Sequence, residues 1–192
     1  MNANFQIRKV AVLGAGVMGA QIAAHLVNAN VQTILFDLPA KDGEPNGVVN
    51  KALEGLKKLD PAPLSSPAKA QYIAAANYEQ HLEKLRDCDL IIEAIAERVD
   101  WKSDLYHKVA PHLNDHAIFA TNTSGLSINT LAQAFPEALR HRFCGIHFFN
   151  PPRYMHLVEL IPCAGTDAPL LDQLETFLVS TLGKGVVRAK DT

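Results

Sequence analysis

Apolar positions along the chain fall into short blocks separated by stretches of helical periodicity, the pattern of strands buried on both faces and joined by crossover helices. Val10-Ala11-Val12-Leu13 is the first block. From Val17 to Val27 the residues Val17, Met18, Ile22, Ala23, Leu26 and Val27 recur at helical spacing, and Gln32 to Phe36 reads as a second strand ending in Asp37. Leu38 to Asn46 carries prolines and acids and reads as an exposed loop leading into a helix near Val48 to Leu59. Residues 60 to 67 (DPAPLSSP) end that helix and read as an excursion within one domain. A short helix is expected around Glu79 to Arg86. After it come a buried strand from Asp89 to Ile95, a helix from Trp101 to Leu113, a strand from Ala117 to Ala120 and a helix capped by Ser127 running to Phe135. Phe143 to Asn150 is the next strand, broken by Pro151-Pro152. Leu157 to Ile161 alternates after it, residues 168 to 183 form a helix, and Gly185 to Ala189 a last strand. This succession predicts an α/β, doubly wound, mostly parallel sheet with an antiparallel addition near the C-terminus.

Between the first strand and its helix stands Gly14-Ala15-Gly16-Val17-Met18-Gly19. Gly14 permits the tight turn, Gly16 lets the backbone approach a pyrophosphate, and Gly19 lets the helix lie close. The helix N-terminus, at Val17 and Met18, then offers unpaired N–H groups to the phosphates. An acidic residue about 20 positions further on, at the tip of the second strand, accepts hydrogen bonds from both ribose hydroxyls and repels a 2′-phosphate. Asp37 holds that place, so the expected cofactor is NAD rather than NADP, on a Rossmann-type fold.

Ligands of such sheets collect at the carboxyl ends of the strands, which puts Glu97, and Lys102 one turn into the next helix, beside the cofactor unless they are ordinary charges at a helix start. Thr121-Asn122-Thr123-Ser124-Gly125 follows another strand end, where hydroxyls and amides can bind phosphate, ribose or a substrate oxygen, or simply form a turn. His147 and Glu159 are equidistant from Arg153. A reversal there sets them opposite each other on adjacent antiparallel strands, about 5 Å apart at Cβ. An imidazole beside a carboxylate is a tuned base. Lys51, Lys57 and Lys58 read either as a solvated face or as ligands for the phosphates of a nucleotide-bearing thioester.

Length and composition narrow the class further. The 192 residues suit one domain, residues 1–192, and the net charge of −2 provides no basic field for nucleic acid or an anionic membrane. Cys88, Cys144 and Cys163 are scattered and show no metal spacing, so reduced thiols in a cytoplasmic protein are expected and no metal site. No apolar run has the length of a signal peptide or a membrane helix. The chain stops just after its last strand, which suggests a fragment.

Taken together, GAGVMG, EAIAE, TNTSGLSI and HFFNPPRYMHLVE resemble the 3-hydroxyacyl-CoA dehydrogenases, from Lys9 to about Asp191. The resemblance implies the family's N-terminal NAD-binding domain. It also implies oxidation of an (S)-3-hydroxyacyl-CoA to the 3-ketoacyl-CoA in fatty-acid β-oxidation, with hydride passing to NAD. His147 then matches the general base, Glu159 its orienting carboxylate, and Ser124 the serine that bonds the substrate oxygen near the nicotinamide. Asp37, Glu97, Lys102 and Asn150 fall on cofactor-contacting positions. Thr121 stands where the family commonly has serine and keeps the hydroxyl. The family's helical C-terminal domain, which adds a catalytic Asn, covers the acyl chain and usually forms the dimer, is absent, so weak or no activity is expected of this chain alone. The long loop after Asp37 resembles the large bacterial members, in which a hydratase-like module can follow. A dehydrogenase of a 3-hydroxy acid without CoA and a non-catalytic NAD-binding module are the rival readings; keeping both His147 and Glu159 argues against the second.

Overall fold

Val10 to Leu13 have no solvent exposure, because they form the middle of β1 (Lys9–Leu13), a central strand of one eight-stranded sheet. The structure, a computed structural model, describes residues 6–191. After β1 come α1 (Val17–Asn28), β2 (Gln32–Asp37), α2 (Gly47–Leu56), β3 (Ile73–Asn77), β4 (Leu90–Glu93) and α3 (Val99–Val109). They are followed by β5 (Ile118–Thr121), α4 (Ile128–Ala134), β6 (Phe143–Phe148), β7 (Leu157–Pro162), α5 (Ala168–Ser180) and β8 (Gly185–Arg188). The strands lie in the order β3-β2-β1-β4-β5-β6-β7-β8. All neighbours are parallel except β6 and β7, which give the antiparallel addition expected near the C-terminus.

The two faces of the sheet are covered separately. Side chains of α1, α2 and α5, such as Ile22, Leu26, Val49 and Leu174, pack on one face. On the other, Tyr106 of α3 and Leu131 of α4 join Phe119, Phe135 and Phe143, whose rings meet at centroid distances of 4.8–5.9 Å. From β1 the chain winds outward to β3, then returns to the far side of β1 as β4. The order therefore reverses between β1 and β4, which opens a crevice beyond their carboxyl ends.

Four elements differ from the sequence reading. β3 was not expected: Ile73-Ala74-Ala75-Ala76-Asn77 lacks β-branched alternation, and it is a strand because all five residues pair with β2 at the sheet edge. Residues 79–86 hold only a 3₁₀ turn, Leu82–Asp87, with Leu85 as its buried residue. α2 stops at Leu56, its last core residue, and Leu59 is exposed. β4 ends at Glu93 rather than Ile95, since the Glu93 carboxylate takes the Ile95 N–H (2.8 Å) and turns the chain out of the sheet.

Candidate active site

The glycine turn sits at the crevice between β1 and β4. Gly14 has φ +106°, and a Cβ there would meet the Ala94 carbonyl oxygen at 2.9 Å. At Gly19 a Cβ would lie 1.8 Å from the Gly14 carbonyl oxygen, so this glycine allows the turn to close on its own helix. Gly16 has nothing within 4 Å of the Cβ position, and α1 begins there with no side-chain cap and no acid in its first turn. Open space in front of uncapped N–H groups fits a dinucleotide pyrophosphate.

Two cavities adjoin at this point and share Gly16 and Ala94-Ile95-Ala96 as lining. The first, of about 450 Å³, is otherwise lined by Gly14, Asp37, Leu38, Tyr78, Trp101, Asp104, Leu105 and Lys108. Asp37 has one oxygen on the Ala15 N–H (2.6 Å) and the other on the Leu38 N–H (2.7 Å). Each carboxylate oxygen keeps a second lone pair for a ribose hydroxyl. The apolar side chains of Leu38, Ile95 and Trp101 in this lining suit an adenine.

The second cavity, of about 590 Å³, brings together Val17, Met18, Glu97, Asn122, Ser124, His147, Phe149 and Asn150. Register pairs His147 of β6 with Glu159 of β7, and His147 Nδ1 lies 2.9 Å from Glu159 Oε2. The expected dyad is therefore formed. An ionised carboxylate only accepts, so in the neutral ring the proton sits on Nδ1 and the lone pair on Nε2. Phe149 packs against the imidazole with centroids 4.4 Å apart. Glu97 accepts hydrogen bonds from Thr123 Oγ1 (2.5 Å) and from the Ser124 N–H (2.8 Å), and so holds the polar loop at the cavity rim. Asn122 Oδ1 accepts the Phe148 N–H (2.9 Å), and Asn150 Oδ1 the Gln21 amide (3.4 Å).

Two of the expected cofactor contacts line neither cavity: Gly19, which faces the Gly14 carbonyl of its own turn, and Lys102. Lys102 is on the first turns of α3 as expected, but its side chain has no solvent exposure. Its ammonium donates to Glu93 Oε1 at 2.6 Å. Glu93, also fully buried, accepts Tyr106 Oη and Thr121 Oγ1 at 2.8 Å each on its second oxygen. Burial above all, with Glu93 next, pushes the Tyr106 hydroxyl far up, so it stays a donor. Sequence reasoning missed Glu93, although a carboxylate inside the apolar run Leu90-Ile91-Ile92-Glu93-Ala94-Ile95 was the available signal. Ser127 caps α4 as expected, accepting the Thr130 N–H at 3.2 Å. All three cysteines are free and buried.

Over residues 9–192 the chain matches the family described as 3-hydroxyacyl-CoA dehydrogenase, NAD binding domain. It is 45% identical over 188 residues to a putative fatty acid oxidation complex trifunctional enzyme of Rickettsia felis, covering 97% of this chain and 26% of that one. It is 42% identical to a probable 3-hydroxyacyl-CoA dehydrogenase of Deinococcus radiodurans, covering 97% of this chain and 54% of the relative. Among solved structures, 3-hydroxybutyryl-CoA dehydrogenase of Escherichia coli superposes with a TM-score of 0.81 at 28% identity, over 98% of this chain and 39% of the other. The chain thus spans about a quarter to about half the length of these curated relatives. The match over residues 9–192 shows that the chain belongs to the 3-hydroxyacyl-CoA dehydrogenase family, as its NAD-binding domain.

Proposed function

We propose that this chain is the NAD-binding domain of an enzyme that oxidises an (S)-3-hydroxyacyl-CoA to the 3-ketoacyl-CoA in fatty-acid β-oxidation. The observation that carries the reading is the His147–Glu159 pair, 2.9 Å apart, in the same cavity as Ser124 and Asn150. A module that only binds NAD has no need of an oriented base. NAD, when bound, supplies the hydride acceptor. His147 Nε2 takes the proton of the 3-hydroxyl as C3 is oxidised, and Glu159 holds the ring and stabilises the imidazolium that forms. Ser124, whose N–H is held by Glu97 (2.8 Å), turns its hydroxyl from the long contact to Glu97 (3.4 Å) to donate to the substrate oxygen. Val17 and Met18 present their N–H groups to the pyrophosphate, and Asp37 receives the ribose hydroxyls. β-Oxidation is supported by the likeness to the putative fatty acid oxidation complex trifunctional enzyme of Rickettsia felis. In this reading residues 1–192 form one domain, and a helical C-terminal domain of the full-length, cytoplasmic protein covers the acyl chain and forms the dimer. Among the described residues no helix is long and apolar enough to cross a membrane, and no group of three or more His, Cys, Asp or Glu could hold a metal.

The test is NADH oxidation with acetoacetyl-CoA, measured on the full-length enzyme and on residues 1–192. The full-length enzyme is expected to turn over, and the isolated chain to run at least ~100-fold slower because the substrate is poorly positioned. No turnover by the full-length enzyme would contradict the activity; equal turnover by the isolated chain would contradict the division of labour.

A further inference from the structure

The Asp191 carboxylate, just beyond β8, takes four donors from residues 62–64 positions earlier in the chain. One oxygen accepts the Ile128 N–H (2.9 Å); the other accepts the Asn129 N–H (2.7 Å), the Asn129 amide (2.6 Å) and the Ser127 hydroxyl (2.8 Å). Burial opposes its ionisation, but the donors of Asn129, Ile128 and Ser127 outweigh it and hold the carboxyl below its ordinary range, so the clasp is charged at neutral pH. Two further bonds tie it to the sheet. Asn129 Oδ1 accepts the Ala164 N–H (2.8 Å) beyond β7, and the Ala189 N–H donates to the Leu160 carbonyl (3.0 Å) of β7.

The clasped residues continue directly from the polar loop that carries Ser124. At the front of that loop Glu97 accepts Thr123 Oγ1 (2.5 Å) and the Ser124 N–H (2.8 Å), and Thr123 Oγ1 in turn accepts the Leu126 N–H (3.2 Å). At its end Asp191 holds residues 127–129. Ser124 thus stands between two carboxylates that fix the loop from opposite ends. The start of α4 is also seated on the strand that bears the base: a Cβ at Gly145, two residues before His147 on β6, would meet Ile128 Cδ1 at 2.8 Å.

We propose that Asp191 is a positioning residue for the reaction: it lines neither cavity, and by clasping the start of α4 it sets the Ser124 hydroxyl in its place beside His147 in the second cavity. The role rests on the dehydrogenase reading above, in which that hydroxyl donates to the substrate oxygen. Asp191→Asn keeps the shape but leaves a single acceptor oxygen for two backbone N–H groups, so the end of the loop loosens.

The experiment measures kcat for acetoacetyl-CoA and NADH in the full-length enzyme, well below its thermal midpoint, for the wild type, Asp191→Asn, Ser124→Ala and the two combined. Each single substitution is expected to lower kcat at least about tenfold, and the double variant to lie within about twofold of Ser124→Ala, because placement of a hydroxyl has no effect once the hydroxyl is gone. Asp191→Asn with a lowered midpoint and wild-type kcat would overturn the proposal, since the clasp would then be purely structural. So would losses that multiply in the double variant, which would mean that Asp191 acts elsewhere than through Ser124, and so would Ser124→Ala with wild-type kcat. If Asp191→Asn does not fold, Ser127→Ala, which removes one donor of the clasp, takes its place in the same cycle and the same outcomes decide. A wild-type enzyme that does not turn over would overturn the functional reading instead, a result visible before any variant is compared.

Discussion

A single hydrogen bond decides what the second cavity can do. Glu159 accepts from His147 Nδ1 at 2.9 Å, which in the neutral ring puts the lone pair on Nε2. In Glu159→Gln the amide nitrogen can donate to Nδ1 instead, so the proton moves to Nε2 and the base is lost without loss of shape. Turnover of the full-length enzyme is expected to fall by about 10² or more while NAD affinity stays within about twofold. Unchanged turnover in steady-state assays would exclude the dyad. This pair was legible in the sequence because antiparallel pairing turns equal distance from a reversal into spatial contact. The side chain of Lys102 was not: whether a lysine at a helix start points to solvent or inward depends on an acid nine residues earlier, on another element.

Elements were legible where burial and periodicity coincide, and illegible where a neighbour or a side chain decides. Lys9–Leu13 and Gln32–Asp37 follow directly from their apolar runs. β3 does not, because alanines have little strand preference of their own and the edge of β2 recruits them. The end of β4 is set by the Glu93 carboxylate competing for the Ile95 N–H, a contact that no hydrophobic pattern records. That early exit is what supplies the 94–96 wall shared by both cavities. The glycine turn shows the opposite case. Spacing alone gives its three glycines separate roles, and at Gly19 the structure supplies the neighbour, the turn's own Gly14 carbonyl.

Across the whole molecule, the reversal of strand order between β1 and β4 brings residues as distant in sequence as Asp37 and Asn150 to one edge of the sheet. Stability has a comparable long-range feature. His25 of α1 has a buried ring, and its pKa falls to about 4, first through burial and then through the charge of Lys184, with the Leu182 backbone opposing and Arg153 adding to the fall. The folded state thus prefers the neutral ring. Its stabilising effect is complete above pH ~6.5, the unfolded value, and is lost as pH falls towards about 4. Urea unfolding of this chain at pH 8 and pH 4.5 is expected to show a loss in the wild type that His25→Leu reduces by on the order of 2–3 kcal/mol. Parallel losses in the two proteins would contradict it. The central claim, that this chain is an NAD site selected by Asp37, is tested most directly by calorimetric titration of the wild type and Asp37→Ala with NAD and with NADP. The account predicts wild-type binding of NAD at least about tenfold tighter than NADP, and a preference that collapses in Asp37→Ala because the lost charge-assisted hydrogen bonds affect NAD alone. Equal affinities in the wild type, or equal losses for both nucleotides in the variant, would contradict it.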